Sequence, residues 1–315
     1  MAAGSRQALV ADIGGTHARF AIADIDELTI SHFVSLECRM FSSLRAAIEA
    51  YMASIPYRPR MAAFALAAPV KAEQVKMTNL DWSFTRGDLS KASGADKVVL
   101  INDFEALALA LPHLVPHDLH RIGGGDAVDK APRVVLGPGT GLGVAGLVHA
   151  EPGWRAVPSE GGHIGFAAED SEEFDIMQGM RQGNERVSAE RLISGPGLEK
   201  LYAHLSATGG SKRARPVRDV VKLALEGDDP VAEKALDYFC RWLGRFAGDI
   251  ALVYGAQGGV YLGGGIAPAI LKSLEAGSFR AAFQAKGRLS GFLESIPIHV
   301  ITAKDAGLRG AALAL

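Results

Sequence analysis

The sequence predicts an α/β fold of two lobes that are copies of one architecture. The chain has 315 residues, enough for about two domains that each have their own core. Strand-like and helical patterns alternate along it. An apolar strand runs into a glycine loop and a second strand at residues 8–20 and again at 134–144, and the shared Gly-Thr pairs lie 124 residues apart. We therefore expect a duplicated fold with a cleft between its lobes.

The elements of the first lobe follow from short apolar runs and from helical spacing. The predicted strands are residues 8–13, 18–24, about 30–37, 61–68 and 98–101, and the predicted helices are residues 44–52 and 104–111. The second helix stops at Pro112, because proline cannot continue a helix. Residues 112–116, with a proline at each end, are the best boundary signal in the chain.

The second lobe opens with another series of strands and then becomes mostly helical. The predicted strands are residues 133–137, 142–149, 154–157 and 297–301, with 258–265 as a strand that feeds a glycine loop. The predicted helical regions are 172–254 and 305–315, and Pro268 lies inside a further predicted helix start. Charged residues interrupt the apolar spacing of the longest helix, residues 231–254, so we expect it in a soluble core rather than in a membrane.

The overall composition excludes several classes of partner. Charged residues make up 22% of the chain and the formal net charge is −2, so no basic field favours nucleic acid or an anionic membrane. A small ligand is expected instead. Cys38 and Cys240 are the only cysteines, which fits a reducing cytoplasm, excludes a cysteine-rich metal site and makes buried apolar filler their expected role. The first residues lack the apolar core of a signal peptide.

The first glycine loop has the chemistry of a phosphate site. Gly14 and Gly15 lack a Cβ and can adopt positive φ, so that backbone N–H groups can converge on an anion. Thr16 adds a hydroxyl, and Asp12 adds a carboxylate that can hold the water shell of a metal ion. The alternative is a plain hairpin turn between two strands.

Two further glycine loops favour the phosphate interpretation. Gly139, Thr140 and Gly141 repeat the first loop, and Gly263, Gly264 and Gly265 form a third. Residues 141–146 formally fit the dinucleotide pattern G-x-G-x-x-G, but the apolar run continues as a strand where that pattern requires a helix. No ordinary P-loop sequence occurs. The paired loops suggest a duplicated fold that clamps one nucleotide.

Asn102 and Asp103 stand between a predicted strand and the helix that follows it, a preferred ligand-binding position in α/β sheets. A carboxylate at this position is suited to accept a hydroxyl proton during phosphoryl transfer. The alternative is that Asp103 is only the helix N-cap, a role worth about 1 kcal/mol.

Glu160 and His163 lie three residues apart in a glycine-rich turn, and Glu190 follows later in the chain. Two carboxylates and an imidazole are suited to hold vicinal hydroxyls. If they are buried, a sugar that lacks a contacted hydroxyl should lose on the order of 10- to 1000-fold in kcat/KM. A metal site at Glu160 and His163 and a solvated loop at Glu190 are the alternatives, although no H-x-x-x-H pattern is present.

Six motifs, in order over nearly the whole chain, resemble those of the bacterial glucokinase family. They are Asp12-Ile13-Gly14-Gly15-Thr16, Ile101-Asn102-Asp103-Phe104-Glu105-Ala106, Gly139-Thr140-Gly141-Leu142-Gly143, Glu160-Gly161-Gly162-His163, residues 188–197 and Leu262-Gly263-Gly264-Gly265-Ile266. The resemblance implies the sugar kinase, actin and heat-shock ATPase superfold, a duplicated ribonuclease H-like architecture. Residues 1–112 plus about 303–315 would form the small lobe, and about 113–302 the large lobe.

The same resemblance implies phosphorylation of glucose at its 6-hydroxyl, with ATP and Mg²⁺ between the lobes, in a cytoplasmic homodimer. Asp103 is then the general base, and Asn102, Asp103, Glu160, His163 and Glu190 bind the sugar. The expected nucleotide-binding residues are Asp12, Gly14, Gly15, Thr16, Gly139, Thr140, Gly141, Gly263, Gly264 and Gly265, with Asp12 also holding Mg²⁺ through water. His17 departs from the small amide residue usual in the family, and the zinc-binding cysteine cluster of the related repressor and kinase group is absent from the sequence.

Two other functions stay open at this point. One is a kinase for another hexose, such as mannose, fructose or an N-acetylhexosamine. The other is a non-catalytic sugar-sensing regulator, which usually carries an N-terminal DNA-binding module. The first strand here is predicted to begin by about residue 8 and Asp103 is present, so an enzyme is favoured.

Overall fold

The computed structural model describes residues 6–181, 183, 186–210 and 213–315. Its strands are β1 (Gln7–Ile13), β2 (His17–Asp24), β3 (Ile30–Glu37), β4 (Met61–Leu66), β5 (Gln74–Lys76), β6 (Ser83–Thr85), β7 (Lys97–Asn102), β8 (Leu119–Gly123), β9 (Arg133–Pro138), β10 (Leu142–Ala150), β11 (Gly153–Ser159), β12 (Val260–Leu262) and β13 (Ile298–Ile301). Its α-helices are α1 (Leu44–Ala53), α2 (Arg86–Ser93), α3 (Asp103–Ala110), α4 (Ser171–Met180), α5 (Ala189–Leu192), α6 (Gly195–Thr208), α7 (Val217–Glu226), α8 (Pro230–Tyr254), α9 (Leu271–Glu275), α10 (Ser278–Gln284), α11 (Ser290–Ser295) and α12 (Ala306–Leu313).

Two sheets share one topology, which confirms the predicted duplication. The first has the strand order β3-β2-β1-β4-β7 and the second begins β11-β10-β9-β12-β13. In each, the first two strands form an antiparallel hairpin, β1 with β2 and β9 with β10. The next two strands then join in parallel beside the first, as β4 and β7 do in one sheet and β12 and β13 in the other.

Two small additions to this plan were not predicted. Strand β8 pairs antiparallel with β13 and extends the second sheet to six strands. Strands β5 and β6 form a separate two-stranded sheet. Both additions consist of short strands, and three to five residues hold too little apolar alternation to stand out in a sequence.

The chain divides into two compact units. The first comprises Met1–Val115, Trp154–Pro158 and Ala303–Leu315, and the second comprises Pro116–Gly153 and Ser159–Thr302. The sequence predicts lobe boundaries at residues 112 and 302. These boundaries remain a prediction of which parts of the chain fold as separate domains.

The first sheet is covered on both faces. Leu9, Ala11 and Ile13 of β1 are fully buried in a core that also contains α1 and α2. Val10 points the other way, into a second cluster formed with α3 and α12. Because neighbouring side chains on a strand alternate between faces, a continuous apolar run such as β1 is what a strand buried on both sides requires.

The core of the second unit is built around α8. Its apolar side packs under β9, β10 and β12, with Trp242, Phe239 and Phe246 among its buried side chains. Within this core Glu173 of α4 accepts hydrogen bonds from Trp242 Nε1 and Arg245 Nη2, each at 2.9 Å. The helix predicted at residues 231–254 is therefore confirmed as a core helix. In the described part of the chain, no helix is long and apolar enough to cross a membrane.

Most other predicted elements are also observed, with small differences at their ends. The strand predicted at residues 61–68 ends at Leu66, and the glycine-rich segment 258–265 is a strand only at Val260–Leu262. The helix expected around Pro268 begins as a 3-10 turn over Ala267–Ile270 before α9.

Candidate active site

The first glycine loop is held by an ion pair across its hairpin. Asp12 and Arg19 are directly opposite in the β1–β2 register, and Arg19 Nη1 donates to Asp12 Oδ2 at 3.0 Å. Burial raises the pKa of the Asp12 carboxyl, and the charge and hydrogen bond of Arg19 offset part of that rise. Arg19 is not among the predicted site residues, although counting outward from the turn pairs it with Asp12.

The turn itself uses Gly14 differently from the prediction. Gly14 lies outside the left-handed region, and its N–H donates to the carbonyl of His17 at 3.0 Å. The expectation that positive φ at this glycine would aim its N–H at an anion is therefore wrong. Cys38 fastens the loop, since its backbone N–H donates to Thr16 O at 2.9 Å and its thiol to Gly14 O at 3.6 Å. The side chain of Thr16 remains exposed.

Asn102 is the N-cap of α3, the role that the alternative interpretation of the sequence gave to Asp103. Its Oδ1 accepts from the backbone N–H groups of Phe104 at 3.0 Å and Glu105 at 3.2 Å. Asp103 is the first residue of the helix, and its Oδ1 also lies 3.0 Å from the Phe104 N–H. Capping is thus supplied by Asn102, and the cap orients the amide so that its Nδ2 is the donor left for a ligand.

The turn after Asp12 and the residues Asn102 and Asp103 lie at the same edge of the first sheet. Strands β1, β4 and β7 are parallel, with Ile13, Leu66 and Asn102 in register at their carboxyl ends. Two strand spacings separate the Asp12 turn from Asn102, roughly 10 Å. The carboxyl edge of a parallel sheet is where α/β proteins bind ligands.

In the second unit, the loop between β9 and β10 is tied to the start of α6. Gly139 N–H donates to Gly141 O, and Gly195 N–H donates to Gly139 O, both at 2.8 Å. The side chain of Thr140 is exposed at the tip of this loop. The loop is therefore fastened at its base and open at Thr140.

The third glycine loop lies against the second. A Cβ at Gly137 would overlap the carbonyl oxygen of Gly263, so only glycine permits this approach. Gly264 has a φ of +77°, and a Cβ there would also lie 2.7 Å from the carbonyl oxygen of Pro138. Gly264 and Gly265 are exposed while Gly263 is buried. The structure thus places residues 137–141 beside 263–265.

The structure also brings Glu160, His163 and Glu190 together. His163 Nε2 lies 3.9 Å from Glu160 Oε2, and His163 Nδ1 lies 3.9 Å from Glu190 Oε1. Neither separation is a direct hydrogen bond. The side chains are 73% exposed at Glu160, 55% at His163 and 31% at Glu190, so the burial on which the selectivity estimate depended is not present here.

The segment that carries this cluster is anchored to β10. Ser159 Oγ donates to Val144 O at 3.1 Å and accepts from the Gly161 N–H at 3.2 Å. A Cβ at Gly162 would overlap the carbonyl oxygen of Leu142, so the turn approaches the strand as closely as backbone allows. The imidazole is therefore presented from a fixed turn.

Glu190 also reaches the loop between β9 and β10. Its Oε2 accepts from the Leu142 N–H at 2.9 Å. A Cβ at Gly141 would lie only 2.5 Å from the same oxygen. No sequence pattern had indicated this contact, because it joins residues that are far apart in the chain.

The alternative of a protein-only metal site has no support among the described residues. They contain no group of three or more histidine, cysteine, aspartate or glutamate side chains able to hold a metal ion. Both cysteines are buried and unbridged, as their expected packing role requires.

Comparison with known proteins gives a consistent result over nearly the full length. A family model described as Glucokinase matches residues 9–315. A glucokinase from Cupriavidus metallidurans is 44% identical over 311 residues, which are 98% of this chain and 92% of the relative. A glucokinase from Hahella chejuensis is 40% identical, covering 99% of this chain and 97% of the relative.

Solved structures agree. The crystal structure of a glucokinase from an Antarctic psychrotroph is 36% identical with a TM-score of 0.83, and the match covers 98% of each chain. A Balamuthia mandrillaris glucokinase in complex with glucose has a TM-score of 0.86 at 22% identity, over 99% of this chain and 94% of that one. At that identity the second match shows the fold alone.

Proposed function

Because the chain belongs to the glucokinase family, we propose that it is an ATP-dependent glucokinase, which transfers the γ-phosphoryl group of ATP to the 6-hydroxyl of glucose. The product is glucose 6-phosphate. The observation that carries the proposal is the convergence of Glu160, His163 and Glu190 beside the glycine loops of the same unit. Carboxylates and an imidazole hold sugar hydroxyls, and the adjoining loops offer backbone and hydroxyl donors to phosphates.

We assign the sugar contacts by the chemistry of each group. Glu160 and Glu190 accept hydrogen bonds from hydroxyls, while the ring of His163 donates or accepts according to its tautomer. From the first unit, Asn102 donates through Nδ2, because its Oδ1 already caps α3.

We assign Asp103 as the general base. As the 6-hydroxyl oxygen attacks the γ-phosphorus, its O–H bond breaks and the proton passes to an Asp103 carboxylate oxygen. The bond between the γ-phosphorus and the bridging oxygen breaks at the same time, and ADP leaves. Phosphoryl transfer depends mainly on such positioning and on charge stabilisation.

The glycine loops are the proposed nucleotide contacts. Thr16 and Thr140 are exposed at the tips of equivalent hairpins. Gly14, Gly15, Gly139 and Gly141 beside them are half-buried and carry no side chain that would block a phosphate. Gly263, Gly264 and Gly265 would border adenosine.

Asp12 fits a role toward Mg²⁺. Magnesium keeps most of its water shell and typically uses one or two protein carboxylates together with substrate phosphates, so a lone carboxylate is a suitable donor. Arg19 occupies Oδ2 of Asp12, and the remaining oxygen would hold a water of the ion. When bound, Mg²⁺ neutralises charge on the transferring phosphates. We further propose that the enzyme is a cytoplasmic homodimer that performs the first step of glycolysis.

A coupled assay of the purified protein tests the activity. Formation of the sugar phosphate is measured with ATP against six hexoses, including glucose, mannose, fructose and an N-acetylhexosamine, and then with ADP replacing ATP as the donor. We expect kcat/KM to be highest for glucose with ATP. A higher kcat/KM for another hexose would mean that the chain is a kinase for that sugar. An absence of turnover with every sugar would contradict the proposal that the chain is a sugar kinase.

A further inference from the structure

We propose that Glu190 links the sugar site to the nucleotide site, so that its carboxylate binds glucose through one oxygen and positions the phosphate loop through the other. The inference rests on the proposed function and extends it. It makes Glu190 a positioning residue for residues 139–142 in addition to a sugar ligand.

The two oxygens of Glu190 face different partners within the same unit. Oε1 lies 3.9 Å from His163 Nδ1, on the side of the sugar cluster. Oε2 accepts from the Leu142 N–H at 2.9 Å, at the point where the phosphate loop enters β10. A hydrogen bond to an ionised acceptor is stronger than a neutral one, so this contact restrains the loop.

Gly141 is what allows the link. Any side chain there would begin 2.5 Å from Glu190 Oε2, so the carboxylate would have to leave its place. The backbone of Gly141 is not in the left-handed region, and an alanine can therefore adopt it without strain. Gly141→Ala thus displaces the carboxylate while leaving the backbone conformation allowed.

A second contact holds the same two segments together. Gly195, five residues after Glu190, donates its N–H to Gly139 O at 2.8 Å. The loop is therefore fastened on both sides of Thr140 by residues 190–195. Glucose that fixes the position of the Glu190 carboxylate therefore also fixes the phosphate loop bonded to it. No further conformational change is needed.

The expected consequence is positive coupling between the two ligands. In the wild-type protein, saturating glucose should lower the Kd of a non-hydrolysable ATP analogue with Mg²⁺ by about 5-fold or more. Glu160 touches neither the loop nor Leu142 in the described contacts, so it supplies a matched control from the same cluster.

The test is isothermal titration of the analogue into each variant, first without sugar. We expect Glu190→Ala to raise the Kd by about 3- to 30-fold, because the Leu142 N–H loses its acceptor. Glu190→Gln retains an oxygen for that N–H and should stay within about 2-fold of wild type. Glu160→Ala should also leave the sugar-free Kd unchanged.

The second arm repeats the titration at saturating glucose. Gly141→Ala should reduce the effect of glucose on the analogue Kd to less than about 2-fold, whereas Glu160→Ala should keep it once glucose saturates. Equal sugar-free Kd values for Glu190→Ala and Glu160→Ala would overturn the link, and so would the absence of a glucose effect in a wild-type protein that phosphorylates glucose. Thermal unfolding of each variant establishes that it is folded.

This experiment distinguishes a wrong proposed substrate from a wrong link between the two sites. If the wild type phosphorylates a different hexose, the proposed substrate is wrong, but the sugar-free arm still measures the contact between Glu190 and the loop. If glucose is phosphorylated and the sugar-free arm shows no difference, only the link is wrong.

Discussion

At the scale of the residue, neighbouring polar side chains divide local structure and chemistry between them. Asn102 satisfies two N–H groups at the start of α3 through its Oδ1. Asp103, the first residue of the helix, accepts from the same Phe104 N–H at 3.0 Å through its own Oδ1. The cap that satisfies two N–H groups is therefore Asn102, while Asp103 carries the carboxylate assigned to proton transfer.

We expect Asp103→Asn to lower kcat by about 10²- to 10⁴-fold, because an amide preserves the shape of the side chain and cannot accept the hydroxyl proton. The measurement is kcat at saturating glucose and ATP. Glu105→Gln, on the same helix, is the matched control and should keep wild-type turnover. An Asp103→Asn enzyme with more than about a third of wild-type kcat would exclude the general-base assignment.

We expect Glu160→Gln to raise the KM for glucose by about 10-fold while the KM for ATP changes less than about 2-fold. The lower end of the predicted range applies, because the carboxylate is 73% exposed and solvent screens its charge. Measuring both KM values in one preparation makes ATP the internal control. Equal increases for the two substrates would show that Glu160 does not contact the sugar.

At the scale of the element, glycines decide which helices and loops approach each other most closely. Gly310 of α12 lies against Ala106 of α3, and a Cβ at that position would overlap the Ala106 carbonyl oxygen. The two helices together cover one face of the first sheet. Their separation is therefore set by backbone contact.

We expect Gly310→Ala to destabilise the protein by about 1 to 3 kcal/mol, because the helices must move apart. Gly291→Ala is the control, since Gly291 lies in α11 with open space around its Cβ position. That substitution should be neutral or stabilising by up to about 1 kcal/mol, because alanine is the better helix former. Thermal unfolding followed by circular dichroism compares them, and equal midpoints would contradict the packing argument.

The elements that the sequence predicted well are those whose signal is local. The hairpins at β1–β2 and β9–β10 combine apolar strands with glycine turns, so pattern and turn chemistry agree. Strand β8 was missed because Leu119–Gly123 alternates poorly and is stabilised mainly by pairing with β13. Helices α10 and α11 were missed because they span only seven and six residues, too few for a periodic pattern.

In the candidate site, too, the features that could be predicted are those with a local signal in the sequence. Residue types and short spacings indicated the glycine loops, Asn102, Asp103 and the pair Glu160 and His163. The contact between Glu190 and Leu142, and that between Gly195 and Gly139, depend on how distant segments pack, which no linear pattern reports. The use of the Gly14 N–H within its own turn was hidden too, because glycine permits several turn geometries.

At the scale of the whole molecule, two sheets share one topology, but their hairpin turns contact different partners. In the first sheet the hairpin turn carries the Asp12–Arg19 pair. In the second, the equivalent turn contacts Glu190 and the third glycine loop. Duplication thus supplies two glycine loops from one plan, and the surrounding side chains give them different partners.

The division of the proposed ligands between units leads to the last prediction. Asn102 and Asp103 belong to the first unit, whereas Glu160, His163 and Glu190 belong to the second. We expect glucose binding to bring the two units closer together, which would exclude water from the transferring phosphate. We expect movement about the segments near Pro112 and residues 300–305.

Small-angle X-ray scattering measures this closure directly. We expect the radius of gyration to fall when saturating glucose is added to the wild-type protein, because the sugar favours the compact arrangement. A variant with Glu160→Ala and His163→Ala together removes two contacts from the second unit and should show no such decrease at the same glucose concentration. An unchanged radius in the wild type, under conditions where glucose is bound, would show that one unit binds the sugar without help from the other.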